Sequence, residues 1–311
     1  MRWMHITIQM NSRLFAVIVT YNGKKWYDRS IGRLASFNPE VDIIVVDNAS
    51  SDGSAGYIRE QFPSVHLMES GENLGFAKAN NLAIRYALDH GADYVLLLNQ
   101  DAWVEESTVT RLVATFGENE SVGIAVPMQR DGTGTALDYY FAQNLSGLFV
   151  SDAYGHTLQP YYDIRYAPAA AWMLSRACFE TVGGFDTDLF SHYGEDENYC
   201  QRLHFHGLRM VLSTRCEICH DHRSVKDGDN YAGRKLWQER NQTLADKISL
   251  ANICRADIHI DQLIMAARAR ACLAACSLMF GQCRAYRERV ALLKQIQASR
   301  TRSEAQGSHW L

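Results

Sequence analysis

The 311-residue sequence lacks the glycine-rich motifs by which many proteins hold phosphate groups. None of its strand-like apolar runs is followed by G-x-G-x-x-G or by G-x-x-x-x-G-K-[ST], which excludes a dinucleotide fingerprint and a P-loop. Any bound phosphate must therefore be held in another way, and a divalent cation on carboxylate oxygens is the obvious one.

Signals for export and for membrane insertion are also missing. The stretch MRWMHITIQMNSRLF has no apolar core followed by a small-residue cleavage site, so we predict no signal peptide. The most apolar late stretch, LIMAARARACLAACSLMF, is interrupted by Arg268 and Arg270 and is not a convincing transmembrane span. We therefore expect a cytosolic protein whose eight cysteines stay reduced.

The charge of the chain is small overall but unevenly distributed. A formal net charge of -4 gives no reason to expect nucleic acid as a partner. Between Asp261 and Arg302, however, eight Lys and Arg residues face two acidic residues, while the rest of the chain carries 23 basic and 33 acidic residues. Residues 261–302 thus carry a net charge of +6 and the rest of the chain a net charge of -10. This asymmetry favours an anionic surface as a partner of the C-terminal segment.

Short apolar runs alternate with helix-like segments through the first part of the chain. Leu14–Thr20, VDIIVVD and YVLLLN are typical of strands buried on both faces, and residues 25–37 and 76–90 have helical spacing. This alternation predicts a parallel α/β sheet covered by helices. Residues 128–168 lack periodicity and are predicted as loops that could line a site, and the chain from about residue 231 is predicted to be helical.

Polar side chains follow the ends of the predicted strands. Tyr21 and Asn22 follow the first strand, Asp47 ends the second, and Asn99 and Asp101 follow YVLLL. A single aspartate in such a place is commonly a turn residue or a helix cap. Because ligands of doubly wound sheets bind beyond the carboxyl ends of the strands, the joint occurrence favours a binding site.

The stretch CEICHDH offers a different site. Cys216, Cys219 and His220 have the spacing of a c-type haem motif, and with His222 they could instead form a zinc site or a redox dithiol. Strand alternation would place the two cysteines on opposite faces, however, and the sequence has no second C-x-x-C pair. A zinc or haem protein is therefore the less favoured alternative.

Five segments in order carry a family resemblance: AVIVTYN, IIVVDNASSDGS, NLGFAKANN, VLLLNQDA and GGFDTDLFSHYGEDENYCQRL. Together they resemble family 2 glycosyltransferases of the GT-A fold, most of all the rhamnosyltransferase-type branch that builds bacterial surface polysaccharides. The resemblance implies an α/β fold with a mostly parallel nucleotide-binding sheet flanked by helices. We predict a catalytic domain over residues 14–228 and a helical C-terminal region over residues 229–311.

The resemblance implies a nucleotide-diphosphate sugar, UDP- or dTDP-linked, as the donor. The residues expected to hold its nucleotide and diphosphate are Tyr21, Asn22, Asp47, Asp52 and Lys78. Lys78 could equally be a solvated residue on the helix surface.

A divalent cation, Mg²⁺ or Mn²⁺, is implied at the diphosphate. Asp101 corresponds to the last aspartate of the family's D-x-D motif, and Asn99 stands in place of the first. One negative charge fewer predicts a weaker metal site. His220 is the first choice for the family's late histidine at this site, and His222 is the second.

The segment GEDENYCQR resembles the family's E-D-x-D-L-x-x-R signature. It implies Asp196 as the general base, with Glu195 beside it at the start of a helix; both could instead only cap that helix. Arg202 orients a carboxylate of the motif or only packs. Nothing in the sequence suggests the second carboxylate that a double displacement needs, so we expect inversion at the anomeric carbon.

Two further choices stay open at this stage. A sugar nucleotidyltransferase is the alternative reaction, although TYNGKKW matches its glycine-rich loop only loosely. The implied acceptor is a hydroxyl of a glycan or of a lipid-linked saccharide, which suits a cytoplasmic enzyme held peripherally at the inner membrane face. The basic C-terminal helices would contact an anionic membrane, form a homodimer, or only cap the catalytic domain.

Overall fold

The computed structural model describes residues 12–117, 121–191, 193–221 and 243–311. The strands are β1 (Leu14–Thr20), β2 (Val41–Asp47), β3 (His66–Glu69), β4 (Tyr94–Leu98), β5 (Ala102–Val104), β6 (Val122–Asp131), β7 (Tyr161–Ile164), β8 (Ala171–Ser175) and β9 (Arg209–His220). The helices are α1 (Tyr27–Phe37), α2 (Ser54–Gln61), α3 (Gly75–Asp89), α4 (Thr108–Gly117), α5 (Tyr139–Ala142), α6 (Gly147–Tyr154), α7 (Arg176–Val182), α8 (Glu195–Phe205), α9 (described over 243–251), α10 (Ile260–Cys276) and α11 (Phe280–Glu304).

The strands form one sheet in the order β3-β2-β1-β4-β8-β6-β9-β5, and β7 also pairs with β9. The first four strands of this order are parallel, as the alternating pattern predicts. β8 runs antiparallel to both β4 and β6, so the other half of the sheet is mixed. The predicted α/β architecture with a helical C-terminal region is confirmed.

The continuous apolar runs are explained by burial on both faces of the sheet. In β1, Phe15 and Val17 belong to one hydrophobic cluster, which includes residues of α3, α7 and α8. Ala16 and Ile18 point the other way, into a second cluster with residues of α1 and α4. Because both faces are covered, every position of the strand favours an apolar residue and the polar residues come only at its end.

Two strands are longer than their apolar patterns suggest. β6 continues through Pro127 to Asp131, and its pairing with β9 shifts register between Pro127 and Met128. A proline has no N–H for the ladder, so a bulge is where a strand accommodates it. β9 is likewise one long strand, which pairs with β7 along its first half and with β5 along its last residues.

The aperiodic segment 128–168 is more regular than a loop. It contains the end of β6, the short helices α5 and α6, and β7. Each helix is capped by a side chain: Asp138 accepts from the N–H of Phe141, and Ser146 accepts from that of Phe149. Elements this short show no clear hydrophobic period, which is why the sequence pattern predicts only loops here.

The C-terminal helices pack against the sheet domain through a third cluster. Leu189 and Phe190, which precede α8, lie with apolar residues of α9, α10 and α11. No helix in the described ranges is both long enough and apolar enough to cross a bilayer.

Candidate active site

An open cleft of about 820 Å³ lies at the carboxyl ends of β1, β4 and β9, closed at its sides by the first turns of α3 and α8. Seven of the predicted site residues line it: Tyr21, Lys78, Asn99, Asp101, Glu195, Asp196 and His220. The fold therefore brings together side chains that are up to about 200 positions apart, as the switch point of an α/β sheet is expected to do.

Gln100 joins the loops that follow β1 and β4. Its side-chain oxygen accepts from the N–H of Tyr21 at 2.9 Å, and its side-chain nitrogen donates to the Tyr21 carbonyl at 3.2 Å. A Cβ on Gly23 would lie 2.0 Å from the Gln100 oxygen, so only glycine allows this approach. The Tyr21 ring, half exposed, is thus left to face the cleft.

Asn22, Asp47 and Asp52 do not line this cleft. Asp47 is buried, and its carboxylate accepts from Thr20 Oγ1 and from the N–H of Ser50, both at 3.1 Å. Asn22 accepts from the N–H of Ser51 at 2.8 Å. These residues hold the loops after β1 and β2 against each other, and the nucleotide contacts assigned to them stay predictions.

Asp52 also has local partners. It accepts from Ser54 at the start of α2 and from the backbone N–H of Lys24. Burial raises the pKa of the Asp52 carboxyl, but these hydrogen bonds together have the larger, opposite effect. The pKa of Asp52 therefore lies below its ordinary value. These bonds join the turn before α2 to the loop after β1.

Asn48 positions the side of the cleft that carries Lys78. Its side-chain oxygen accepts from the N–H of Leu74 at 2.8 Å, and its nitrogen donates to the Gly75 carbonyl. Gly75 begins α3 with φ of +75°, a conformation that favours glycine. Lys78, in the first turn of α3, is exposed and lines the cleft.

A buried histidine lies between two carboxylates at the floor of the cleft. His220 Nε2 lies 3.5 Å from Asp101 Oδ1, and Nδ1 lies 3.5 Å from Asp138 Oδ2. Burial alone would lower the pKa of His220, but hydrogen bonds to Asp101 and Asp138 raise it to about 9. Asp138 is a site residue that the sequence did not reveal. The predicted alternative, His222, lies outside the described residues.

Asp196 lies in the first turn of α8, opposite Tyr166. The Tyr166 hydroxyl donates to Asp196 Oδ2 at 2.8 Å, and the backbone N–H of Glu197 donates to Oδ1 at the same distance. Burial raises the pKa of Asp196, and the hydrogen bond from Tyr166 works in the opposite direction. Burial, and next the charge of Asp196, raise the pKa of Tyr166 as well, so the phenol stays a donor.

Glu195, beside Asp196, is buried in the cleft wall. Its Oε2 atom has no hydrogen-bond partner among the described residues. Burial is the main reason that the pKa of Glu195 rises to about 7. An acceptor atom that is desolvated and unpaired in the free protein suits a ligand hydroxyl.

Arg202 fixes the position of α8. It is fully buried and donates to the carbonyls of Val182 and Gly184, both at 2.7 Å, and to Asn198 Oδ1 at 3.1 Å. Its guanidinium also lies over the Trp310 ring, with 4.7 Å to the centroid. Of the two predicted roles, packing describes this residue, because it donates to two carbonyls and an amide rather than to a carboxylate.

The cysteines of CEICHDH lie in different surroundings. Cys216 belongs to a hydrophobic cluster, whereas Cys219 borders a separate pocket with Arg130 and Trp103. Both are free thiols. In the described part of the chain no three His, Cys, Asp or Glu side chains are grouped to hold a metal. Among the described residues of this motif, His220 lines the cleft.

The family model described as Glycosyl transferase family 2 matches residues 15–183. The chain belongs to glycosyl transferase family 2. This family 2 enzyme is 30% identical over 213 residues to the dTDP-rhamnosyl transferase RfbF of Shigella flexneri, covering 68% of this chain and 70% of the relative. It is 25% identical over 247 residues to an N-acetylglucosaminyl-diphospho-decaprenol L-rhamnosyltransferase of Mycobacterium tuberculosis, covering 70% and 79%. The predicted likeness to rhamnosyltransferases is confirmed.

Solved structures with the same fold are also glycosyltransferases. The mannosyltransferase PcManGT from Pyrobaculum calidifontis, in complex with GDP-Man and Mn²⁺, has a TM-score of 0.53 at 18% identity, over 94% of this chain and 86% of that one. GalNAc-T7 with UDP, GalNAc and Mn²⁺ also has a TM-score of 0.53, at 15% identity, over 67% of this chain and 44% of that one. These likenesses support the GT-A fold of this family 2 glycosyltransferase.

Proposed function

We propose that this family 2 glycosyltransferase moves a sugar from a nucleotide-diphosphate sugar to a hydroxyl of a glycan or lipid-linked saccharide, with inversion. The observation that carries the proposal is the position of Asp196, which lies in the same cleft as Tyr21 and Asp101 and is hydrogen-bonded by Tyr166. Burial raises the pKa of this half-buried carboxyl, which favours a role as general base.

The donor would enter along the strand ends. The ring of Tyr21 would contact the nucleobase of the donor. Lys78, in the first turn of α3, would place a positive charge near the diphosphate. Relatives named for dTDP-rhamnose and L-rhamnose transfer make dTDP-rhamnose the first donor to test among the UDP- and dTDP-linked sugars.

The residues at the floor of the cleft fit a weakly held divalent cation. Asp101 and His220 would be its protein ligands, with Asn99 beside them, and the donor diphosphate would complete the set. The carboxylates of Asp101 and Asp138 favour a positive charge here, and His220 would bind the cation as the neutral imidazole after losing its proton. When bound, Mg²⁺ or Mn²⁺ neutralises charge on the departing nucleoside diphosphate. Both structural neighbours contain Mn²⁺.

The chain's own residues supply the rest of the reaction. Asp196 removes the proton from the acceptor hydroxyl, whose oxygen forms a bond to the anomeric carbon. The bond from that carbon to the diphosphate oxygen breaks on the opposite face, and the nucleoside diphosphate leaves with the electron pair. Glu195 accepts a hydrogen bond from a sugar hydroxyl, which orients the reacting partner beside Asp196.

The mycobacterial relative is named for a polyprenyl-diphosphate acceptor. A lipid-linked acceptor suits an enzyme held peripherally at the inner face of the cytoplasmic membrane. Contact through the C-terminal helices would serve this position, and a homodimer through the same helices is the alternative.

The test compares donor binding with turnover. Asp196→Asn is expected to keep its affinity for dTDP-rhamnose in calorimetry with Mn²⁺ but to lose about 10²–10⁴-fold in transfer rate. Asp152→Asn is the matched control, because this carboxylate is also bonded by a tyrosine, Tyr162, at 2.7 Å, but lies outside the cleft. Unchanged turnover in Asp196→Asn would refute the assignment of the base. Pyrophosphate as the released product would instead identify a nucleotidyltransferase.

A further inference from the structure

The helical hairpin of α10 and α11 is attached to the protein at one end. Near its base, Ile264 and Ala267 of α10 pack with Leu293 and Ile296 of α11 in the cluster that includes Phe190. Farther out the buried side chains are small: Ala271, Ala274 and Cys283. This outer hairpin, residues 268–289, is held together by close helix contact and does not contribute to the described core clusters.

The tip of the outer hairpin exposes large apolar side chains. Leu278 is 72% exposed, Phe280 71% and Leu273 68%, and Met279 beside them is exposed as well. Scattered apolar residues on a surface are ordinary, but Leu278, Met279 and Phe280 are consecutive at this turn and form a patch that water disfavours. Such a patch indicates a partner surface of apolar character.

Leu278 adds a second observation about this turn. It follows α10 with φ of +57°, in the left-handed conformation where helices commonly end in glycine. A leucine here costs strain and also leaves its side chain in water. A leucine at this position is explained if its side chain contacts another molecule.

The charges behind the tip indicate which partner this is. The outer hairpin carries five arginines and one glutamate, a net charge of +4. Four of the arginines are exposed, Arg268, Arg270, Arg284 and Arg287, and Arg289 is half-buried. With a rise of about 1.5 Å per helical residue they lie within about 15 Å of the tip, at the depth where headgroups lie when apolar side chains enter a bilayer by about 5–10 Å.

We propose that the outer hairpin is a membrane-docking device, which inserts Leu278, Met279 and Phe280 into an anionic bilayer while its arginines contact the headgroups. The inference rests on the proposed function in one respect, since a lipid-linked acceptor gives the docking its use. It requires no hydrophobic span, because a shallow apolar wedge combined with several cationic residues gives reversible attachment.

Vesicle flotation without donor or acceptor tests the docking independently of catalysis. The whole protein is expected to float with vesicles of phosphatidylglycerol and phosphatidylcholine, and not with pure phosphatidylcholine, at 50 mM salt. Leu278→Gly with Phe280→Ser is expected to reduce the bound fraction at least tenfold. The glycine relieves the left-handed strain, so the loss cannot be ascribed to a damaged turn. Leu148→Ser, at an exposed leucine of α6, is the control and keeps full binding.

The arginines are tested separately. Arg268→Gln with Arg270→Gln is expected to lower the partition coefficient about 30-fold and to weaken its salt dependence. Wild-type binding that is absent, or equal on neutral and anionic vesicles, overturns the proposal. A concentration-dependent dimer that Leu278→Gly with Phe280→Ser dissociates, together with no vesicle binding, assigns the tip to a second copy instead. Neither result affects the assignment of Asp196, which depends on turnover alone.

Discussion

The hydroxyl of Tyr166 is a side-chain donor that affects the basicity of Asp196. The variant Tyr166→Phe removes the donor that lies 2.8 Å from Asp196 Oδ2 and keeps the ring that fills the space. The N–H of Glu197 still donates to the other carboxylate oxygen. The change therefore isolates a single hydrogen bond to the carboxylate that we propose as the base.

The direction of the effect follows from which protonation state the bond stabilises. A hydroxyl that donates to a carboxylate favours the ionised form, so its loss adds to the upward shift that burial already imposes on the pKa of Asp196. A hydrogen bond to a charged group is worth about 1.5–3 kcal/mol, which corresponds to about a 10- to 150-fold change in the equilibrium. On the acid limb, kcat/KM of Tyr166→Phe should fall by about that factor and recover as the pH rises.

The assay is a pH profile of kcat/KM with the donor that calorimetry identifies, at a saturating Mn²⁺ concentration. Tyr162→Phe is the matched control. Tyr162, in β7, donates to Oδ2 of Asp152 in α6 at 2.7 Å, and this pair lies outside the cleft. This control variant should lower stability by a similar amount without moving the acid limb. A uniform loss across the whole profile in Tyr166→Phe, or a limb that does not move, would refute the argument.

Three further predictions concern stability. Burial raises the pKa of Glu195 from 4.5 to about 7, so its ionisation opposes folding increasingly as the pH rises through this range. In urea unfolding, Glu195→Gln should therefore be about 3 kcal/mol more stable than wild type at pH 8 and about equally stable at pH 4. Arg202→Met leaves the buried carbonyls of Val182 and Gly184 without donors and should cost about 3–5 kcal/mol by the same measurement; a loss below about 1 kcal/mol would contradict it. Gly183→Ala, where φ is +82° and a Cβ would lie 2.4 Å from the His309 carbonyl, should lower the melting temperature more than Gly207→Ala, where φ is +76° and the space is open; equal losses would rule out the clash.

Part of the site could be predicted because polar residues at strand ends are a local signal. Tyr21 and Asp101 each follow a buried run, whereas Asp196 was implied by the family resemblance of GEDENYCQR; the fold places all three in one cleft. Tyr166 and Asp138 could not be predicted in the same way. They belong to the aperiodic segment, and their roles depend on partners 30 and 82 positions away in the chain.

The direction of β8 was equally invisible in the sequence. A run such as AWMLS is apolar whether its neighbours are parallel or antiparallel, because burial on both faces fixes composition and not orientation. Asp47 and Asp52 do not line the cleft, and each accepts a local hydrogen bond, from the N–H of Ser50 and of Ser54 respectively. Spacing identifies the edge of the sheet where chemistry is possible, and packing decides which of its side chains face the ligand.

The contacts around Asn81 have a practical consequence for enzyme engineering. This residue of α3 donates to the carbonyls of Phe185 and Trp310, and accepts from the N–H of Phe185. A chimera that takes residues 229–311 from a relative with another acceptor would have to recreate those bonds, along with the Ser299 contact to Asp186. Grafts should therefore exchange the 181–190 segment and position 81 together with the C-terminal helices, as one mutually fitted set.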